Sequence, residues 1–191
     1  MGLDISILTD NPKNNHASDY FDEKNGYYKK HSLSCEFCNL MCRRNVVNHE
    51  PELDQIGKIT GVDISSLYEM ESYPDEEALT CDLYFAESEE EKQKILTEAE
   101  TRKSLLIGNI DKVLQTVTTL IESLQNIEKL DERLVKTDFD TLNPAYYFSD
   151  FNLDKGEGYI RNNFGQDLRN FKRFLEYAKS RGVKTVWFRY G

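Results

Sequence analysis

Three thiols sit close together in this chain, at Cys35, Cys38 and Cys42 within the segment Ser34–Arg44. Thiolates at short spacing can hold zinc or an iron–sulfur cluster, with Cys81, His31 or His49 as the missing ligand, or can exchange disulfides. Metal-binding Cys-x-x-Cys pairs usually lie on tight turns, so that the sulfurs converge on one ion at ~2.3 Å. Here the intervening residues are Glu36, Phe37, Asn39, Leu40 and Met41, all comfortable in a helix. Spacing of three and then four puts the thiols on one stripe, beside Phe37, Leu40 and Met41. Buried free cysteine behaves as a small hydrophobe. The expectation is a core helix with its thiols inward, and neither a metal nor a cofactor.

A second constellation lies near the C-terminus, where a loop rich in amides enters a basic helix. Arg161, Asn162, Asn163, Gln166 and Asp167 lead into Arg169, Lys172 and Arg173. Free N–H groups and the helix dipole make such an end attractive to an anion, and the amides could orient a polar ligand. Asp4 and His31 are added as candidates from elements that could lie nearby. The plainer alternative is that Asn163 or Asp167 caps the helix while the glycines only shape the loop. His16, His31 and His49 are too scattered to form a ligand motif. There is no His-Glu-x-x-His, no Gly-x-Ser-x-Gly and no phosphate-binding Gly-x4-Gly-Lys sequence. Trp187, Phe188 and Tyr190 beside Arg189 could stack on bases, but alternation along a strand explains them equally well.

The elements that must position these residues follow from periodicity. Residues 2–8 alternate, with Leu3, Ile5 and Ile7 on one face, and read as a half-buried strand. Residues 9–30 read as a long loop. A helix is expected from about Leu33 to Val47, capped by Ser32 or Ser34. A second, short helix opens at Pro51 and stops at Gly61, and a third runs from Asp63 to Met70. Leu79, Leu83, Tyr84 and Phe85 are the residues available to anchor the acidic stretch that follows.

The strongest pattern spans 87–135. Leu106, Ile110, Val113, Val117, Leu120, Leu124 and Ile127 are spaced alternately by four and three, with Ile107, Leu114 and Ile121 widening the seam. The phase does not slip at Gly108, which predicts one helix of about 40 residues or more. At ~1.5 Å per residue it would reach ~65–70 Å, against the ~35–40 Å of a domain this size. Such a helix must protrude, bend or pair, and a homodimer through the 106–127 seam is the expectation. Beyond the 136–144 linker, Tyr146–Phe151 reads as a strand and 152–166 as a loop. A helix then runs from about Asp167 to Ser180, and Lys184–Tyr190 forms a strand. The fold class is therefore α+β and helix-rich, a single domain over 1–191, with a small sheet made by the N- and C-terminal strands.

Composition narrows the partners. The chain has 191 residues and a formal net charge of −10, a field that repels nucleic acid and anionic lipid. Between Glu69 and Glu91 there are ten acids and no Lys or Arg, whereas from Lys155 onward nine bases face three acids. This suits an acidic docking patch for a basic protein partner, no nucleic acid and no membrane. No apolar run approaches the ~18 residues of a membrane span. The N-terminus lacks the positively charged region of a signal peptide and meets Asp4 early, and the cysteines form no paired framework, so a cytoplasmic location is expected.

The opening Met1–Ile5, the run Phe37–Arg44, and the closing Asn163–Phe171 and Val186–Gly191 resemble a group of uncharacterised bacterial and phage-borne proteins. The resemblance implies a bacterial, cytoplasmic accessory protein and transfers no catalytic residue. The functional expectation is a non-catalytic protein-interaction or regulatory module of such a system, immunity-like in kind. The alternative is an enzyme or a binder of small anions or nucleotides that uses residues 161–173.

Overall fold

The computed structural model describes residues 5–11, 33–45, 47, 49–74, 76–135, 143–155 and 160–190. Asp4 and His31, most of the 9–30 loop and most of the 136–144 linker lie outside these. Strand β1, Ile5–Thr9, pairs antiparallel with strand β2, Val186–Tyr190, so the two ends of the chain form one small sheet. Ile7 faces Phe188 across the ladder and Thr9 faces Val186. The Asp10 carboxylate closes the pair by accepting from the N–H groups of Lys184 and Thr185, each at 3.2 Å.

Helix α1, Cys35–Cys42, packs on β1 and is shorter than its pattern predicts, tightening into a 3-10 turn over Arg43–Asn45. Its core face is Phe37, Cys38, Leu40 and Met41. The expected inward stripe of three thiols is corrected: Cys38 is buried, Cys42 half-buried and Cys35 exposed. One aromatic side chain, Phe37, and two large apolar ones, Leu40 and Met41, exclude more water than three thiols could, and they set the rotation of the helix. Phe37 stacks on Phe164 and meets Phe171 and Phe188 edge-on, with ring centroids 6.1–6.4 Å apart. Helices α2, Glu52–Thr60, and α3, Ser65–Glu69, fall where expected, with Asp63 accepting from the Ser65 N–H at 2.9 Å. A 3-10 turn, Met70–Ser72, packs on β2, and Tyr73 stacks on Trp187 with centroids 3.9 Å apart. Both faces of β2 are thereby covered, so Val186, Trp187 and Phe188 are all buried.

Among the described residues there is no helix of about 40 residues. After α4, Glu76–Phe85, the long seam divides into α5, Glu89–Leu106, and α6, Ile110–Leu124. Gly108 takes the left-handed conformation at φ +78, which a helix cannot continue through. Long-range bonds fix the break. Gly108 N–H donates to Thr185 Oγ1 at 3.1 Å and Ile110 N–H to Lys184 O at 3.1 Å. The Asn109 amide makes a reciprocal pair with the Val186 backbone at 2.8 and 2.9 Å.

The seam residues Ile110, Val113, Val117, Leu120 and Leu124 are buried in the chain's own core, with α6 packed along the C-terminal helix α8, Phe164–Ser180. The surface proposed for a second copy is thus already occupied within the molecule.

A short helix α7, Leu130–Arg133, precedes the C-terminal part. The strand expected over Tyr146–Phe151 is instead a 3-10 turn, Ala145–Phe148, opened by a bond from Tyr147 N–H to Pro144 O at 2.8 Å. Tyr147 and Phe148 are consecutive and both buried, which a turn allows and an alternating, half-exposed strand does not. Helix α8 begins at Phe164, three residues before the expected Asp167, because Asn163 caps it. Among the described residues, no helix is long and apolar enough to cross a membrane.

Candidate functional site

Helix α8 carries a polar stripe and, beside it, an apolar stripe with one carboxylate on its inner side. Asn163, Gln166, Asn170 and Arg173 repeat at three and four, and Asp167 lies on the apolar stripe of Phe164, Phe171, Phe174 and Ala178. Asn163, Gln166, Asp167 and Asn170 are all buried. Buried polar groups of this kind need partners, and here the protein supplies them.

Asp167 accepts four hydrogen bonds. Oδ1 receives Ser34 N–H at 3.1 Å and Asn162 Nδ2 at 2.8 Å. Oδ2 receives Ser34 Oγ at 2.5 Å and the Tyr147 hydroxyl at 3.0 Å. Ser34 also caps α1, its Oγ accepting from Phe37 N–H at 3.2 Å. The carboxylate therefore joins the first turns of α1 and α8, where both dipoles favour negative charge. Burial acts against that charge and outweighs the four donors, pushing the Asp167 carboxyl up to about 6. Burial, with the Asp167 carboxylate beside it, also raises Tyr147 well above the ordinary phenol range.

The remaining polar groups brace the segment 149–155. Asn163 Nδ2 donates to Ser149 O at 2.6 Å and Asp150 O at 3.1 Å, while Oδ1 caps the Gln166 N–H at 2.8 Å. Gln166 Oε1 accepts from Lys155 N–H at 2.5 Å, and its Nε2 donates to Asn170 Oδ1 at 3.0 Å. Arg169 donates to Phe151 O at 2.5 Å and Leu153 O at 3.4 Å. Arg173 donates to Asn170 Oδ1 at 3.1 Å and pairs with Asp154. Gly165 permits this closeness: a Cβ there would stand 3.0 Å from the Phe151 ring.

Six of the seven described candidates are thus brought together: Asn162, Asn163, Gln166, Asp167, Arg169 and Arg173. They meet each other and the protein's own backbone, and the helix end is capped internally. Arg161 stands apart on the surface, with a left-handed φ of 58. Sequence reasoning did not reach Tyr147, Asn170 or Asp154. The available signal was the three-four spacing of Asp167 with Phe164, Phe171 and Phe174, which marks an inward carboxylate. Among the described residues, no group of three His, Cys, Asp or Glu side chains is arranged to hold a metal ion. Comparison with family models, curated proteins and solved structures found no match.

A different surface draws attention at the arm formed by α4 and α5, which pack on each other. Helix α5 starts with a reciprocal cap: Ser88 Oγ accepts from Glu91 N–H at 3.1 Å, and the Glu91 carboxylate accepts from Glu87 N–H at 2.8 Å. It buries only Ala99 and Leu106 fully. Leu79 and Leu83 are half-buried, as anchors should be, but Tyr84 and Phe85 are 81% and 72% exposed. Their rings meet edge-on at 5.2 Å, and Asp82, Glu87, Glu89, Glu90 and Glu91 flank them in sequence.

Proposed function

We propose that this protein is an interaction module that docks a basic protein partner on the tip of the α4–α5 arm. The observation that carries this reading is the exposed pair Tyr84 and Phe85 within a run of acids. Two large aromatic side chains in water cost hydrophobic free energy that nothing in their own fold recovers. Aromatic side chains are also the residues that most often dominate binding energy at protein interfaces. The acids around them would steer a basic partner and disfavour acidic ones. The partner contributes the cations, since none lies between Glu69 and Glu91. A non-catalytic role in a bacterial or phage accessory system, immunity-like in kind, accords with the resemblance of the chain's ends. Replacing both aromatics (Tyr84→Ser with Phe85→Ser) tests the reading. At such exposed positions the change in stability should stay within about 0.5 kcal/mol per site. Capture of a basic partner from native-host lysate should be lost, and undiminished capture would refute the assignment.

A further inference from the structure

Two legs join the α4–α5 arm to the core, and both rest on strand β2. The first leg is the turn Met70–Ser72 with Tyr73 after it. The Tyr190 hydroxyl donates to the Glu71 carboxylate at 2.5 Å, and Tyr73 stacks on Trp187 with the ring planes 16° apart. Trp187 and Tyr190 lie on opposite faces of β2, so this leg grips the strand from both sides. The second leg is the break between α5 and α6. Gly108 N–H donates to Thr185 Oγ1 and Ile110 N–H to Lys184 O, each at 3.1 Å. The Asn109 amide holds both backbone groups of Val186.

Between the legs little ties the arm down. Of the residues from 74 to 107 whose exposure is described, only Ala99 and Leu106 are buried. Helices α4 and α5 pack on each other, and so small a buried face gives the pair no firm seat of its own on the core. Strand β2, by contrast, pairs with β1 along its whole length and buries Val186, Trp187 and Phe188.

We propose that β2 is a strap: by holding both legs, it fixes the direction in which the arm presents its tip. One attachment would leave the arm free to pivot. The contacts here run from Lys184 to Tyr190, ~20 Å of extended strand, and attachment over that span removes the pivot. A tip held at one angle loses less freedom when a partner docks. That consequence rests on the arm being the docking surface; the strap itself does not, and either can fail alone.

Cys35 on the core and Cys81 on the arm are exposed, whereas Cys38 is buried and burial pushes the half-buried Cys42 thiol up. Nitroxide labels on the two exposed native thiols of the full chain, confirmed as two per molecule by intact mass, allow the core-to-arm distance to be read by pulsed electron resonance. The wild type should give one narrow distribution. Tyr73→Ala cuts the first leg and Asn109→Ala the second. Each alone should widen the distribution slightly, and the two together should widen it at least about twofold, beyond the sum of the single effects. Retained helicity and a cooperative melt show that the core persists. If that double variant does not fold, Tyr190→Phe with Thr185→Val deletes one hydrogen bond from each leg at nearly unchanged shape, and the same excess widening is expected. A broad wild-type distribution, a folded double variant as narrow as the wild type, or one single variant as broad as the double would overturn the strap.

Discussion

Asp167 has no contact with solvent, yet it holds the first turns of two helices through four donated hydrogen bonds. An unfolded aspartate titrates near ~3.9, whereas burial raises the folded one to about 6. The folded state therefore binds more protons between those values. The stability contributed by that proton is fully present below pH ~4 and is lost as pH rises through about 6. Asp167→Asn cannot lose it. Urea unfolding should show this variant gaining on the wild type by on the order of 2–3 kcal/mol between pH 4 and 7.5, and a constant gap would contradict the linkage. Asp167→Ala, which leaves four buried donors without their acceptor, should cost ~3 kcal/mol or more. This residue was legible in part: its place in a loop-to-helix entry marked it as functional or capping. Its real role needed Ser34 and Tyr147, which are 133 and 20 residues away, and no local pattern carries such pairings.

Elements that depend on short-range periodicity were the readable part of the fold. The two terminal strands alternate, and they pair; helices α1, α2, α3 and α8 lie close to where apolar spacing and caps put them. The failures share one cause. At Gly108 the apolar phase runs on undisturbed, while the break is imposed by residues 184–186 from the other end of the chain. Gly108→Ala distinguishes the two architectures. In a continuous helix it would stabilise by ~1 kcal/mol; at φ +78 it should destabilise by ~1 kcal/mol, as read by thermal or urea unfolding. A Cβ there meets nothing within 4 Å, so backbone conformation alone decides the sign. The seam of α6 gives a second test. Val117 is fully buried and Leu124 nearly so, and an unpaired carboxylate at either place costs several kcal/mol. Val117→Asp and Leu124→Asp should abolish cooperative folding by circular dichroism. Folded variants altered only in oligomeric state would instead restore the seam as an interface between copies.

At the scale of the molecule, a core built on α6, α8, α1 and the terminal sheet carries a separately capped, acid-rich arm. The core absorbs most of the large apolar side chains, which makes Tyr84 and Phe85 at the arm's tip conspicuous. Composition revealed the acidic segment, but it did not reveal that these aromatics face water, because an anchor and a docking residue look alike in sequence. The most direct measurement places a photo-crosslinking residue at position 84 and, as a control, at Leu153, which is 63% exposed on the core. In native-host lysate, position 84 should yield a specific adduct with a basic protein that weakens as salt is raised, and position 153 should not. The same adducts from both positions, or none from position 84, would contradict the account of the arm as the docking surface.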